Sequence, residues 1–245
     1  MGMSFISASM SKLLIIATPI GNLEDLSPRA RKALEEVDVL ACEDTRHTRT
    51  LYTALQLKSP PQILSYHEHN EKEAAPGLIK LIQSGKTVGL ASDAGMPLIS
   101  DPGYRVVRAA RELGIPVEVI PGPSALLVAL AGSGLPPSSF TFKGFAPKKP
   151  GARRRWLEQD KQSLHTLIFY ESPLRIGQLL KEALEIYGDR ECTLCAELTK
   201  KFERVERSRL SDLSSKYASL EAKGEYVLVI SGAGAQGIFE NAEND

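Results

Sequence analysis

Five short apolar runs punctuate the first half of the chain, and each ends in a cluster of polar, glycine or proline residues. The runs cover residues 12–18, 38–42, 62–66, 87–91 and 116–120. Runs of this length, bounded by turn residues, read as buried strands. Between them lie segments with helical spacing. Ala30, Ala33, Leu34 and Val37 share one helix face, and Ser27-Pro28 supplies a cap and a first helical residue. Strands alternating with helices predict an α/β fold, a parallel sheet with helices on both faces. All strands of such a sheet point one way, so the five terminal clusters converge on one rim. Open α/β sheets bind ligands at that rim.

The clusters are T-P-I-G-N (18–22), E-D-T-R-H-T-R (43–49), H-E-H-N-E (67–71), S-D-A-G-M-P-L-I-S-D-P-G (92–103) and P-G-P-S-A (121–125). The fourth holds more turn residues than a strand–helix connection needs, and reads as a ligand site. Within it Asp101 and Pro102 read as the cap and first residue of a helix over 104–113, which Gly114 is placed to end. Pro76-Gly77 is expected to kink or restart the preceding helix.

After residue 121 the texture changes to mixed α/β. A small-residue helix covers 126–131, and Phe140 and Phe142 mark a half-buried strand. Residues 147–155, P-K-K-P-G-A-R-R-R, read as an exposed basic loop. Strands over 164–170 and 191–197 run into E-S-P-L-R and L-T-K-K-F-E-R, and a short helix and a last strand follow. The expected domains are 12–122 and 123–233, with flexible ends at 1–11 and 234–245.

Several function classes are excluded by what the chain lacks. Lys+Arg and Asp+Glu both number 30, so a polyanion must be held by a local patch rather than a global field. No apolar run approaches the ~20 residues of a membrane span. The N-terminus has no secretory pattern, and a reducing cytoplasm is expected. Cys192 and Cys195 form C-x-x-C on a predicted strand, where residues three apart face opposite ways and cannot share a metal. His67-Glu68-His69 does not match the H-E-x-x-H zinc motif, and no metal is expected. G-A-G-A-Q-G (232–237) lacks the helix and acidic residue of a dinucleotide fingerprint.

The five rim clusters, followed by F-Y-E-S-P-L-R (169–175) and E-L-T-K-K-F-E (197–203), resemble in this order the motifs of the tetrapyrrole methylase superfamily. E-D-T-R-H-T and H-E-H-N-E resemble its RNA-modifying branch rather than its porphyrin- and corrin-methylating members. The resemblance implies a two-domain fold with S-adenosylmethionine in the inter-domain cleft, and a homodimer. It implies 2′-O-methylation of a decoding-site cytidine in the 16S rRNA of the small ribosomal subunit. The implied cofactor pocket takes Pro19, Ile20 and Gly21 from the first cluster and Asp93, Ala94, Gly95, Pro97 and Asp101 from the fourth. Pro121, Gly122, Ser124 and Ala125 join them, with Leu198 and Thr199 from the second domain. Many members carry a helical C-terminal extension that this chain lacks, so RNA docking is expected from other surfaces.

Methyl transfer from a sulfonium releases a neutral thioether, so in-line positioning is the main demand and can supply roughly 7–11 kcal/mol. A ribose hydroxyl also needs its proton removed, which a placed base accelerates by roughly 10²–10⁴-fold. Candidates are Glu43, Asp44, His67, Glu171 and Glu197, while the charge of Lys200 would lower the hydroxyl's pKa. The residues leave this choice open. Glu43, Asp44 and Arg46 are expected at the nucleotide. Arg49, Lys148, Lys149, Arg153, Arg154 and Arg155 are expected on RNA phosphates. The alternative substrate, a tetrapyrrole, would need an apolar trough instead.

Overall fold

The computed structural model of the chain describes residues 11–220 and 222–234. The two expected flexible ends lie outside these apart from Ser11 and Gly234. The chain divides between Pro123 and Ser124 into two compact units.

The first unit holds β1 (Leu13–Ile16), β2 (Val39–Cys42), β3 (Gln62–Ser65), β4 (Val88–Ala91) and β5 (Val117–Ile120). All pair in parallel, in the order β3-β2-β4-β1-β5. Four helices connect them: α1 (Pro28–Glu36), α2 (Thr45–Ala54), α3 (Glu71–Gln83) and α4 (Tyr104–Glu112). Alternation along the strands makes two cores. Leu13, Ile15, Val39 and Leu90 pack with Leu78 and Ile82 of α3 and Val106 of α4. Leu14, Ile16 and Leu40 pack with Leu34 of α1 and Tyr52 of α2. Helices therefore cover both faces, and Ser27 caps α1 by accepting the Ala30 N–H.

The second unit carries α5 (Ala125–Gly132), β6 (Phe140–Phe145), α6 (Pro150–Glu158), β7 (Thr166–Glu171), α7 (Ile176–Tyr187), β8 (Glu191–Ala196), β9 (Arg204–Arg209), α8 (Leu210–Tyr217) and β10 (Tyr226–Ile230). Its sheet runs β6-β7-β10-β8-β9, with β6–β7 parallel and the other pairs antiparallel. Leu157 of α6, Leu179 and Leu180 of α7 and Leu213 of α8 bury one face with Phe169, Leu194 and Leu228. Thr193, facing the other way on β8, donates to the carbonyl of Ser133 at the end of α5 (2.8 Å).

Two expectations change, and two features have no counterpart among the expected elements. Pro76 lies inside α3, which continues past it and does not restart there. The buried contacts of Ala75, Leu78, Ile79 and Ile82 outweigh the one backbone bond that proline removes. The basic loop is in large part a helix, because Pro150 occupies the first turn of α6. Arg153 is buried there against Glu182, so its assignment to RNA is overturned; Arg154 points to Glu185. R-V-E-R-S-R forms β9, a strand without an apolar run, because pairing with β8 places Arg207 on Glu191. Residues 45–49 of E-D-T-R-H-T-R belong to α2, which begins at Thr45.

The three cysteines are free and buried. Burial pushes the Cys192 thiol up to about 12 and Cys195 up to about 11, which leaves both inert at neutral pH. No helix among the described residues is long and apolar enough to cross a membrane.

Candidate functional site

At the carboxyl rim of the first sheet, backbone bonds bind three of the sequence clusters together. Ala17 N–H donates to the Ile120 carbonyl (3.2 Å). Thr18 and Gly95 exchange N–H to carbonyl bonds of 2.9 and 3.1 Å. The Thr18 hydroxyl donates to the Ser92 carbonyl (3.2 Å), and the Ser92 hydroxyl donates to that of Gly95 (3.2 Å). Two glycines make this closeness possible. Gly95 has φ +83°, which other residues rarely adopt, and a Cβ there would stand 3.0 Å from Ile20 Cγ2. A Cβ on Gly122 would meet the Ala17 Cβ at 2.7 Å. Pro19, Ile20 and Pro97 are buried beneath the rim, while Gly21, Ala94, Pro121 and Gly122 are exposed on it.

An acidic group opens from this platform. Asp93 accepts the Asp44 N–H (3.1 Å) and so joins the ends of β4 and β2. Asp44 caps α2 through the Arg46 N–H (2.8 Å) and pairs with the Arg46 guanidinium (2.7 Å). Those hydrogen bonds hold its carboxyl well below the usual range. Glu43 behaves oppositely. Burial, then the negative charge of Asp93, raise its pKa. Asp101 is pushed up to about 7, by burial first and then by Glu43 and Asp93, against a hydrogen bond with Ser92. None of Glu43, Asp93 and Asp101 forms an ion pair among the described residues.

Asp101 does not cap α4, contrary to the sequence expectation. The helix starts at Tyr104, and its cap residue is Gly103 with φ +142°. The Gly103 N–H is satisfied instead by Glu71 Oε2 (3.2 Å), from H-E-H-N-E. Leu98 and Ser100 sit at φ +73° and +67° in the same segment. Two non-glycine residues in that region mark strain of the kind binding segments carry. The segment thus leaves the Asp101 carboxyl to the rim.

In H-E-H-N-E, the His67 N–H donates to Asn70 Oδ1 (2.8 Å), and the ring Nδ1 is buried with no hydrogen-bond partner among the described residues. Ser92 and Glu71 join the site residues, and the signal for both is their place inside the fourth and third clusters.

In the second unit, Ser124 precedes α5, Ala125 opens it, and the Leu126 N–H donates to the Tyr170 hydroxyl (3.0 Å). Leu198 and Thr199 occupy the β8–β9 connection, with Leu198 buried and Thr199 at φ +63°. Lys200 Nζ pairs with Glu225 (2.8 Å) and Glu197 (3.1 Å). Burial pulls that ammonium down, but the two carboxylates outweigh it and hold it charged. Glu171 is fully buried beside Arg175, and burial raises its carboxyl. Lys148, Lys149 and Arg155 are exposed, as is Arg49 in the first unit.

The family model of the Tetrapyrrole (Corrin/Porphyrin) Methylases matches residues 12–214. The chain belongs to the tetrapyrrole methylase family. Two relatives share the name ribosomal RNA small subunit methyltransferase I. That of Thermotoga maritima is 44% identical over 223 residues, covering 91% of this chain and 99% of its own length. That of Xylella fastidiosa is 48% identical over 227 residues, covering 91% of this chain and 82% of its own. Among solved structures, the cobalt precorrin-4 methyltransferase CbiF has a TM-score of 0.68 at 17% identity, covering 91% of this chain and 96% of that one. The uroporphyrin-III C-methyltransferase of Thermus thermophilus, in complex with S-adenosyl homocysteine, has a TM-score of 0.61 at 22% identity, covering 90% and 97%. At these identities the likeness is one of fold, and this chain's parallel sheet and mixed sheet form a tetrapyrrole methylase-like fold.

Proposed function

We propose that this tetrapyrrole methylase family member transfers the methyl group of S-adenosylmethionine to ribosomal RNA, at the ribose 2′-hydroxyl of a decoding-site cytidine in 16S rRNA. The observation that carries the cofactor assignment is the acidic rim. Glu43, Asp93 and Asp101 gather at the carboxyl end of a parallel sheet, and burial plus mutual repulsion raise two of them. Such a cluster favours a cationic ligand, whose charge relieves that repulsion. S-adenosylmethionine fits, with a positive sulfonium and a methionyl ammonium, and when bound it supplies an electrophilic methyl group.

The remaining chemistry belongs to the chain. Asp93 and Asp101 are the residues that would hold the cofactor, accepting hydrogen bonds from its ammonium or ribose hydroxyls. The cradle at Gly95 and Gly122 lets backbone approach a ligand closely. Glu43 is the base, because it is half-buried, raised towards neutrality and outside any ion pair among the described residues. It takes the proton of the attacking hydroxyl. Asp44 and Arg46 fix the start of α2 beside it, and Arg46, 87% exposed at its side chain, can reach a phosphate. His67 stands near Glu43 and counters part of the rise in that carboxyl's pKa. Lys200 holds the β8–β9 connection through its two carboxylates. Leu198 and Thr199 remain cofactor candidates on the resemblance, and a homodimer belongs to the same reading.

The names of relatives at 44–48% identity support an RNA substrate over a tetrapyrrole. The experiment supplies methyl-labelled S-adenosylmethionine with either unmodified 30S subunits or a porphyrinogen. Label is expected in 16S rRNA alone. Label in the porphyrinogen, or in neither, would overturn the proposal.

A further inference from the structure

The carboxyl end of β6 presents an aromatic ring to solvent, three and four residues before two exposed lysines. β6 is an edge strand, and its register with β7 shifts between Phe142 and Gly144. Gly144, at φ +65°, allows that irregularity, which re-aims the residues that follow it. Phe145 is left 54% exposed. Its inner side rests edge-on against Tyr170, at 5.6 Å between ring centroids, and Phe142 braces Tyr170 at 4.8 Å. The Tyr170 hydroxyl in turn receives the Leu126 N–H (3.0 Å), in the first turn of the helix that follows Ser124. Phe145 is therefore one ring away from a segment assigned to the cofactor.

The backbone beyond Phe145 is pinned. The Ala146 carbonyl accepts from Arg175 Nη1 (3.0 Å), and those of Pro147 and Lys148 accept from Arg153 Nη1 (3.4 Å each). Nearby charges are already neutralised: Lys143 by Asp160, Arg153 by Glu182 and Arg154 by Glu185. Lys148 and Lys149 are exposed and in no ion pair among the described residues. A lone exposed phenylalanine needs no explanation. One braced by Tyr170 and followed within four residues by two exposed lysines outside any ion pair among the described residues has the composition of a single-strand RNA contact, where a splayed base stacks on an aromatic face and phosphates meet cations.

We propose that Phe145 is the stacking face for an unpaired base of the RNA substrate, with Lys148 and Lys149 on the flanking phosphates. This rests on the RNA reading above and adds a binding residue to it. The test uses the full chain with unmodified 30S subunits, comparing wild type, Phe145→Ala, Phe145→Trp and the double variant Lys148→Ala/Lys149→Ala. Phe145→Ala is expected to raise the KM for 30S subunits by about tenfold or more, the range of one stacked base. Its affinity for S-adenosylmethionine should be unchanged, and Phe145→Trp should restore the wild-type KM. The lysine double variant should flatten the dependence of RNA binding on salt. An unchanged KM in Phe145→Ala would overturn the proposal. So would an equal loss of cofactor binding, or a change from dimer to monomer in sedimentation, which would make the ring's partner a second copy of the chain. Failure of the wild type to bind or methylate 30S subunits would remove the RNA reading itself, and this proposal with it.

Discussion

Replacing Glu182 by alanine is expected to destabilise the chain by about 3–5 kcal/mol, the usual result of stranding one partner of a buried ion pair. Arg153 and Glu182 side chains are only 5% and 4% exposed. They meet through two bonds of 2.7 and 2.9 Å, and Gln178 adds a third to the carboxylate (2.8 Å). Without Glu182 the guanidinium retains two backbone carbonyls at 3.4 Å, which do not balance its charge. The pair ties α6 to α7 across the core of the second unit. The hydrogen bonds of Arg153 hold the Glu182 carboxyl below its ordinary range. A depressed carboxylate stabilises the fold above its unfolded pKa, and that contribution fades as pH falls through the folded value. Urea denaturation at pH 7 measures the effect, which should shrink in acid. Replacing both residues by apolar ones of similar volume, Arg153→Met/Glu182→Leu, should be far milder. A Glu182→Ala protein as stable as wild type would show that the pair is not the tie between these helices.

Replacing Glu43 by glutamine is expected to lower kcat for methyl transfer by about 10²-fold or more, the typical contribution of a positioned base. Glutamine keeps the size and polarity of the side chain and removes only the capacity to take a proton. Binding of S-adenosylmethionine and of RNA should change little. The rising limb of the pH–rate profile should vanish with the carboxylate, since activity in the wild type requires the deprotonated form. Asp44→Asn separates this role from helix capping. Asparagine caps as well as aspartate, so α2 should persist and activity should fall much less. Near-normal turnover in Glu43→Gln would transfer the role elsewhere, with Asp101 and His67 as the neighbours to test.

Much of the fold was legible because its signals are local. Short apolar runs and terminal turn clusters marked five parallel strands, and Ser27-Pro28 marked the start of α1. The misreadings share a different cause: the deciding partner was distant in sequence. Asp101 resembled a helix cap because Asp-Pro is a good local start signal. Glu71 overrode it from 32 residues away by satisfying the Gly103 amide. Gly103 packs so tightly that a Cβ would stand 2.8 Å from Leu90. The basic run at 147–155 resembled an exposed loop because charge usually means solvent. Glu182, 29 residues on, draws Arg153 inside. β9 has no apolar periodicity to announce it, and its partner strand supplies both the hydrogen bonds and the opposing charges. At the site, the clusters showed which loops reach the rim. They did not show which carboxylates are occupied, since that depends on Arg46 holding Asp44 while Glu43 and Asp101 stay outside ion pairs.

The acidic rim as the seat of a cationic methyl donor is tested most directly by calorimetry of S-adenosylmethionine binding near pH 7, in buffers of different ionisation enthalpy. Burial and the neighbouring Glu43 and Asp93 push Asp101 up to about 7 in the free protein, so part of it carries a proton at neutral pH. A sulfonium or ammonium beside it would favour the ionised form. Binding should therefore release a substantial fraction of a proton and tighten as pH rises from 6 to 8. Both effects should disappear in Asp101→Asn. Binding without proton release, or identical release in the variant, would contradict the account.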